Sequence, residues 1–119
     1  VMEPTVLTNV SSTMKVCCEE IFGPVVTISP YTTLQEALDR MNDSPFGLQA
    51  GIFTQNIDAM YHTYANLEVG AVLVNEIPTF RADHMPYGGV KQSGLGREGV
   101  RYAIQELTEP KLLIVKSPT

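Results

Sequence analysis

Three stretches of this chain carry apolar residues at helical spacing, and short β-branched or apolar runs separate them. In each stretch the apolar residues fall at i, i+3, i+4 and i+7, which places them on one face of an α-helix. The pattern therefore predicts three amphipathic helices, each of which must bury one face. The three sets are Leu34, Ala37, Leu38 and Met41; Ile57, Met60, Tyr61 and Tyr64; and Val100, Ala103, Ile104 and Leu107.

Local signals mark the ends of two of these helices. Thr33 with Glu36 three residues later forms a capping box, and Pro45 and Gly47 indicate where the same helix ends. Asn56 has a side chain suited to cap the second helix. The sequence thus bounds the first helix at both ends and marks the start of the second.

The runs between the helices predict strands over residues 24–28, 48–53 and 71–74. Strands that alternate with helices indicate right-handed crossovers and a mostly parallel sheet covered on both faces. The sequence thus predicts an α/β fold. A last run, residues 111–116, follows Pro110 and is bracketed by lysines, which is typical of an edge strand or of a strand added to another sheet.

Charge and cysteine content exclude several classes of partner and site. The net charge is −5 and no cluster of Lys or Arg is present, which argues against nucleic acid or an anionic membrane as partner. No apolar run approaches the ~18 residues of a membrane span. Cys17 and Cys18 are adjacent and form no disulfide framework, so we expect a reducing, cytoplasmic location.

Three ordered motifs carry a resemblance to a known family. Residues 19–25 read Glu-Glu-Ile-Phe-Gly-Pro-Val, residues 86–91 read Pro-Tyr-Gly-Gly-Val-Lys, and residues 93–98 read Ser-Gly-Leu-Gly-Arg-Glu. Together they resemble the C-terminal part of the NAD(P)-dependent aldehyde dehydrogenases, over nearly the whole chain. The resemblance implies a partial three-layer parallel sheet with helices on both faces. It assigns residues 1–106 to the C-terminal part of the catalytic domain and residues 107–119 to an oligomerisation tail.

The resemblance also implies what this chain does not contain. In that family a cysteine thiolate attacks the aldehyde, hydride passes to NAD or NADP, and water releases the carboxylic acid. The cysteine, the general-base glutamate and the dinucleotide-binding domain all lie upstream of the matched motifs, so we expect the isolated chain to be inactive. A small aldehyde and a homo-oligomer formed through residues 111–116 are the implied partners of the full-length enzyme. The alternative is a free-standing assembly or binding module without redox activity.

Two residues of the first motif match cofactor-contacting positions of the family. The resemblance implies that Glu20 hydrogen-bonds the hydroxyls of the nicotinamide ribose and that Phe22 packs beside the nicotinamide. A carboxylate can accept two hydroxyl hydrogen bonds, and charge-assisted hydrogen bonds are stronger than neutral ones. Taken without the resemblance, the same segment is an ordinary turn with one exposed carboxylate.

The loop from Asn75 to Gly89 resembles the loop that lines the aldehyde-entry tunnel in this family. The resemblance places Phe80 and Tyr87 on the tunnel wall, and Arg81 beside them is a less general feature. An arginine there could pair with a phosphate or carboxylate on the substrate. The alternative is a surface pair between Arg81 and Asp83 that holds the loop.

Other motifs are better explained structurally. Residues 94–99 match G-x-G-x-x-G, but residues 87–93 make a poor strand and the next strand ends in Lys116 rather than in an acidic residue. We therefore interpret the motif as a glycine-rich turn. Cys17 and Cys18 adjoin two glutamates, which disfavour a thiolate nucleophile. The histidines His62 and His84 are isolated, so no metal site is expected.

Overall fold

A computed structural model of the chain describes residues 1–117 and contains six short strands and four helices in that range. The helices predicted from periodicity are confirmed as α2, α3 and α4, and the three predicted strands correspond to β2, β4 and β5. The elements in chain order are β1 Thr5–Thr8, α1 Lys15–Cys18, β2 Val25–Ile28, α2 Leu34–Asn42, β3 Phe46–Gly47, β4 Gln49–Ile52, α3 Ile57–Asn66, β5 Ala71–Val74, β6 Val90–Lys91 and α4 Val100–Glu106.

The predicted caps are present, with one difference in the capping box. The hydroxyl of Thr33 accepts a hydrogen bond from the backbone N–H of Glu36 at 3.2 Å. The Glu36 carboxylate accepts from the backbone N–H of Thr32 at 2.9 Å and from the Thr32 hydroxyl at 2.7 Å, one residue earlier than a capping box requires. The Thr32 backbone hydrogen bond is the main cause that lowers the pKa of Glu36. At α3, the Asn56 side chain accepts from the N–H groups of Asp58 and Ala59.

The strands pair in three separate two-stranded sheets. β1 pairs with β2 and β4 pairs with β5, both in parallel, while β3 and β6 pair antiparallel. The helix α3 forms the crossover between β4 and β5, which confirms the parallel βαβ unit expected from the sequence. The single continuous sheet is not formed within residues 1–117, because β2 pairs with β1 and not with β4.

The side chain of Lys91, in β6, connects this strand to the end of α2 and to the segment that follows α3. Its ammonium donates to the backbone carbonyls of Asn42, at 2.7 Å, and Ser44, at 3.2 Å, which lie at and just after the end of α2. It also pairs with the carboxylate of Glu68 at 2.7 Å. A cation at a helix C-terminus satisfies orphan carbonyl groups there. The lysine of the second sequence motif therefore has a structural role that the sequence analysis did not assign.

The core between α2, α3 and the β4–β5 pair is small. It contains Leu38, Ala50 and Leu67, which are 2%, 3% and 8% exposed. The accessible surface of the chain is 9698 Å², whereas a compact protein of this mass exposes about 6,400 Å². The radius of gyration is 19.6 Å against about 13 Å for a compact domain of this length. Much apolar surface therefore has no cover within the chain.

The C-terminal part of the chain shows this lack of cover most clearly. On α4 the predicted apolar stripe is largely exposed, with Val100 at 74% and Ile104 at 56%. The strand predicted over residues 111–116 pairs with no strand within residues 1–117, and its four apolar side chains are each about four-fifths exposed. No helix in the described part of the chain has the length and apolar character needed to cross a membrane.

Candidate functional site

The first candidate segment is a tight turn between α1 and β2. The backbone N–H of Gly23 donates to the carbonyl of Ile21 at 2.9 Å, and the N–H of Val25 donates to Gly23 at 2.8 Å. The carbonyl of Pro24 accepts from Thr5 at 2.8 Å, which fastens the end of the turn to β1. These backbone bonds fix the turn as the start of the β1–β2 pair, as expected from its Gly-Pro sequence.

The two candidate cofactor residues project from this turn in different ways. Glu20 lies on the wall of a cleft of about 630 Å³ and makes no side-chain hydrogen bond or ion pair within residues 1–117. Phe22 is 94% exposed and does not line that cleft. A free carboxylate can accept two hydroxyl groups, and a free aromatic face can pack beside a flat ring. Both side chains thus fit the nicotinamide end of NAD or NADP, although the structure does not bring them into one pocket.

The remaining walls of this cleft come from the end of α2, from β3 and β4, and from the segment after β6. These walls combine apolar and neutral polar side chains, and Glu20 supplies the carboxylate. The other residues that line the cleft are Met41, Ser44, Phe46, Gly47, Leu48, Gln49, Val69, Gln92 and Ser93.

The loop expected to line a substrate tunnel crosses over β4. The carbonyl of Phe80 accepts a hydrogen bond from the Gln49 side chain at 3.3 Å, while the Phe80 ring stays half exposed. At the start of the loop Asn75 has a positive φ of 57°, and its side chain accepts from the N–H of Thr54 at 2.8 Å. The start and the middle of the loop are thus fastened to the β4–β5 unit.

Arg81 and Tyr87 are brought together by a third residue that the sequence analysis missed. The guanidinium carbon of Arg81 lies 4.6 Å from the centroid of the Tyr87 ring, a cation–π arrangement. Its Nη2 pairs with the carboxylate of Glu98 at 2.9 Å. The alternative expectation, an ion pair between Arg81 and Asp83, is wrong, because the carboxylate that pairs with Arg81 in the described chain is that of Glu98. The sequence singled out Glu98 only as the last residue of the third motif and did not indicate that it pairs with Arg81.

Glu98 and Tyr87 are also linked through their backbones. They form an isolated antiparallel bridge, in which the N–H of Tyr87 donates to Glu98 at 3.2 Å and the N–H of Glu98 donates back at 2.6 Å. This bridge holds the two side chains at neighbouring positions. The three residues Arg81, Tyr87 and Glu98 are called the arginine cluster below.

The G-x-G-x-x-G segment forms an irregular turn between this bridge and α4. Gly94, Gly96 and Gly99 all have positive φ values, which glycine adopts without strain. The backbone N–H of Arg97, within this turn, donates to the Glu106 carboxylate at 2.9 Å. This geometry supports the interpretation of the motif as a turn.

Cys17, Cys18 and His62 make no side-chain hydrogen bond to the candidate site residues within residues 1–117. Cys17 is half-buried, and the exposed Cys18 donates its thiol to the carbonyl of Met14 at 3.3 Å. His62 is hydrogen-bonded to Gln35 at 2.8 Å, on the surface between α2 and α3. Within residues 1–117 no three side chains are grouped as a metal site would require.

The geometry can now be compared with known proteins. A family model described as "Aldehyde dehydrogenase family" matches residues 1–113. The chain therefore belongs to the aldehyde dehydrogenase family, as its motifs predicted.

Curated relatives extend the comparison to individual enzymes. The chain is 48% identical over 112 residues to 3-sulfolactaldehyde dehydrogenase from Priestia aryabhattai, covering 94% of this chain and 24% of that protein. It is 44% identical to sulfoacetaldehyde dehydrogenase from Neptuniibacter caesariensis, covering 94% and 25%. The chain thus spans about a quarter of the length of the curated relatives it matches.

Solved structures share the fold of this chain, and family members among them hold NADP or NAD+. Aldehyde dehydrogenase 21 from Physcomitrella patens, in complex with succinate, superposes with a TM-score of 0.92 at 41% identity, covering 98% of this chain and 24% of that one. Glyceraldehyde-3-phosphate dehydrogenase from Methanocaldococcus jannaschii, complexed with NADP, gives a TM-score of 0.79 at 45% identity, covering 87% and 22%. These likenesses confirm the α/β fold and a family that uses NAD or NADP.

Proposed function

We propose that this chain works as the C-terminal part of an NAD(P)-dependent aldehyde dehydrogenase and has no dehydrogenase activity by itself. The observation that carries the proposal is the family match over residues 1–113, together with a coverage of about a quarter of each relative. The excess of exposed surface supports it, because apolar faces of this extent are normally covered by further protein.

In the assembled enzyme the chain would hold the nicotinamide end of the cofactor. NAD or NADP supplies the hydride acceptor when bound. Glu20 accepts the two ribose hydroxyls, and Phe22 limits how far the nicotinamide ring can swing. The support is the exposed, unpaired state of both side chains on a turn that is fixed by backbone hydrogen bonds. Neither residue forms or breaks a covalent bond, so both contribute by orientation.

The substrate side would be built by the loop between β5 and β6. Phe80, Arg81 and Tyr87 form part of the tunnel wall through which a small aldehyde reaches the reacting centre. The two aromatic rings provide an apolar wall, and Arg81 provides a cation among them. The fastening of this loop to β4 supports a preformed wall rather than a mobile lid.

Residues 107–119 would act as the oligomerisation tail. The apolar side chains within residues 112–115 are about four-fifths exposed and their backbone is unpaired within the described chain. An apolar segment with free backbone groups can add a strand to the sheet of a second subunit.

A chimaera tests the proposal. In it the corresponding C-terminal segment of the Priestia aryabhattai relative is replaced by these 119 residues. We expect the chimaera to reduce NAD(P)+ with an aldehyde, whereas the 119-residue chain alone forms no NAD(P)H. Production of NAD(P)H by the pure chain would overturn the assignment, and so would a folded chimaera without turnover.

Within the chimaera, Glu20→Gln tests the cofactor contact. Loss of the charged acceptor mispositions the nicotinamide, and such misplacement can lower turnover by ~100-fold. Glu19→Gln is the matched control, since Glu19 is an exposed neighbouring carboxylate whose ion pair within residues 1–117 is with Lys15 at 3.5 Å. Equal turnover of the two variants would show that Glu20 has no part in orienting the cofactor.

A further inference from the structure

The two cysteines of the chain are neighbours in sequence at the end of α1. Cys18 is exposed and Cys17 is half-buried, so the pair can be reached from solvent. Neither cysteine lines the cleft of Glu20 or belongs to the arginine cluster, and neither has a part in the proposed function. The pair is therefore an accessible dithiol without an assigned role.

Both cysteines line a second cleft of about 550 Å³, which lies between α1, the segment after β1 and the ends of β2 and α2. That volume falls within the range of small-molecule sites, about 300–1,000 Å³. The charged residues on its walls are Arg40 and Asp43, one of each sign. The guanidinium of Arg40 is already held by the Pro30 carbonyl, at 3.0 Å, and by the Glu36 carboxylate. A neutral ligand therefore suits this cleft better than an ion.

Adjacent cysteines are poorly suited to form a disulfide with each other. The peptide bond between Cys17 and Cys18 is trans, which sets their Cα atoms about 3.8 Å apart. Disulfides usually join Cα atoms about 4.4–6.8 Å apart, and departures from that geometry store strain. A bridging atom bound to both sulfurs makes the link longer by one atom and relieves this limit. The pair is thus better arranged for chelation than for oxidation.

We propose that Cys17 and Cys18 form a dithiol site for trivalent arsenicals on the wall of the second cleft. Cysteine sulfur is a soft ligand and prefers soft centres, of which trivalent arsenic is one. With phenylarsine oxide, two As–S bonds form, and the two thiol protons leave with the oxygen of the arsenical as one molecule of water. Arsenic keeps its bond to carbon and stays trivalent, so no oxidant or reductant takes part.

Binding would also displace the end of α1. Successive side chains on a helix point ~100° apart, so bringing both sulfurs onto one atom strains α1. Cys18 must also release the carbonyl of Met14, to which its thiol donates at 3.3 Å. The helix has four residues and none of them is buried, so little packing opposes the change. Glu20 follows Cys18 by two residues and would move with it. This consequence, unlike the site itself, rests on the proposed function.

Phenylarsine oxide added to the 119-residue chain tests the site without interference, because the sequence contains no third cysteine. We expect one arsenical per chain, loss of both thiols to a colorimetric thiol reagent, and a mass gain of one phenylarsenic group less two hydrogens. Excess mercaptoethanol should leave the adduct intact, whereas dimercaptopropanol should remove it, because a chelate yields to a second dithiol and resists single thiols.

Cys17→Ser and Cys18→Ser each leave one thiol, and each should weaken the Kd for phenylarsine oxide by at least ~100-fold, the lower end of the gain from linked binding. Ser12→Ala is the matched control, because Ser12 lines the same cleft and both thiols remain. It should bind like the unsubstituted chain. Two arsenicals per chain would overturn the proposal, and so would single-cysteine variants of unchanged Kd, since the sulfurs would then act separately.

The chimaera described above tests the effect on Glu20 in the presence of excess mercaptoethanol, which frees single thiols elsewhere in the protein. Phenylarsine oxide should lower turnover by ~100-fold, the scale of a misplaced reacting group, and should leave a chimaera with Cys17→Ser unaffected. Normal turnover with the arsenical bound would overturn the displacement of Glu20. Chelation by a folded chimaera without turnover would leave the site standing while the proposed function fails.

Discussion

Substitution of Leu38 by alanine should destabilise the chain more than any equivalent change elsewhere in its described part, because Leu38 is the most deeply buried side chain at 2% exposure. It packs in one cluster with Ala50 and Leu67. Leu38→Ala removes three buried carbon groups at about 0.8 kcal/mol each. The cavity left by the lost atoms lowers the free energy of unfolding further, but only slightly, because an open structure can partly collapse around it. The expected loss is about 3 kcal/mol.

Leu112→Ala provides the matched control, since it deletes the same atoms from a side chain that is 82% exposed. Its expected cost is below about 0.5 kcal/mol. Urea denaturation followed by far-UV circular dichroism measures both changes. With a slope of roughly 1–3 kcal/mol per molar urea, Leu38→Ala should lower the midpoint by about 1–3 M or abolish the folded baseline.

The comparison must be made at several protein concentrations, so that self-association does not mask a change in folding. Equal midpoints for the two variants would refute the reasoning. They would mean that the packing of α2 against β4 and the start of the α3–β5 connection does not stabilise the chain in solution.

Two further predictions concern the tail and the first cap. Deletion of residues 110–119 should shift the mass distribution in sedimentation toward monomer, because it removes the exposed apolar segment; an unchanged distribution would place the assembly surface elsewhere. Because its folded-state pKa is lowered, Glu36 contributes stability above the usual carboxyl value of 4.5, and this is lost as pH falls through the folded pKa. Glu36→Gln should therefore lower the urea midpoint at pH 7, and its difference from the unsubstituted chain should shrink as the pH falls below 4.5.

The helices and strands that the sequence predicted well are those whose signals lie within the element itself. The helix from Leu34 was readable because its apolar stripe and its cap lie within ten residues. The strand Ala71–Val74 was readable because it is a short, continuous apolar run. The strand Thr5–Thr8 was missed although three of its four residues are β-branched, because so short a run is ordered chiefly by its pairing with β2.

In the candidate site, too, residues within motifs could be predicted and contacts between distant residues could not. Glu20, Phe22, Phe80, Arg81 and Tyr87 could be named from motifs, and their assigned roles stay predictions. The partner of Arg81 could not be named, because Glu98 lies 17 residues away and reaches it only through a backbone bridge. Local spacing favoured Asp83 instead. Contacts of this kind depend on the path of the loop, which no periodicity encodes.

The close approach of Gly70 to Gly88 limits the path of the loop between β5 and β6. A Cβ on Gly70 would lie 1.7 Å from the carbonyl oxygen of Gly88, so the two backbones touch where the loop crosses the start of β5. The N–H of Gly70 is in turn bonded to the carbonyls of Gly47 and Leu48 at 3.1 Å and 3.0 Å. The main chain beside Tyr87 therefore has almost no room to drift as the sequence diverges. Substitutions along this segment would therefore change side chains on a main chain whose position is nearly fixed.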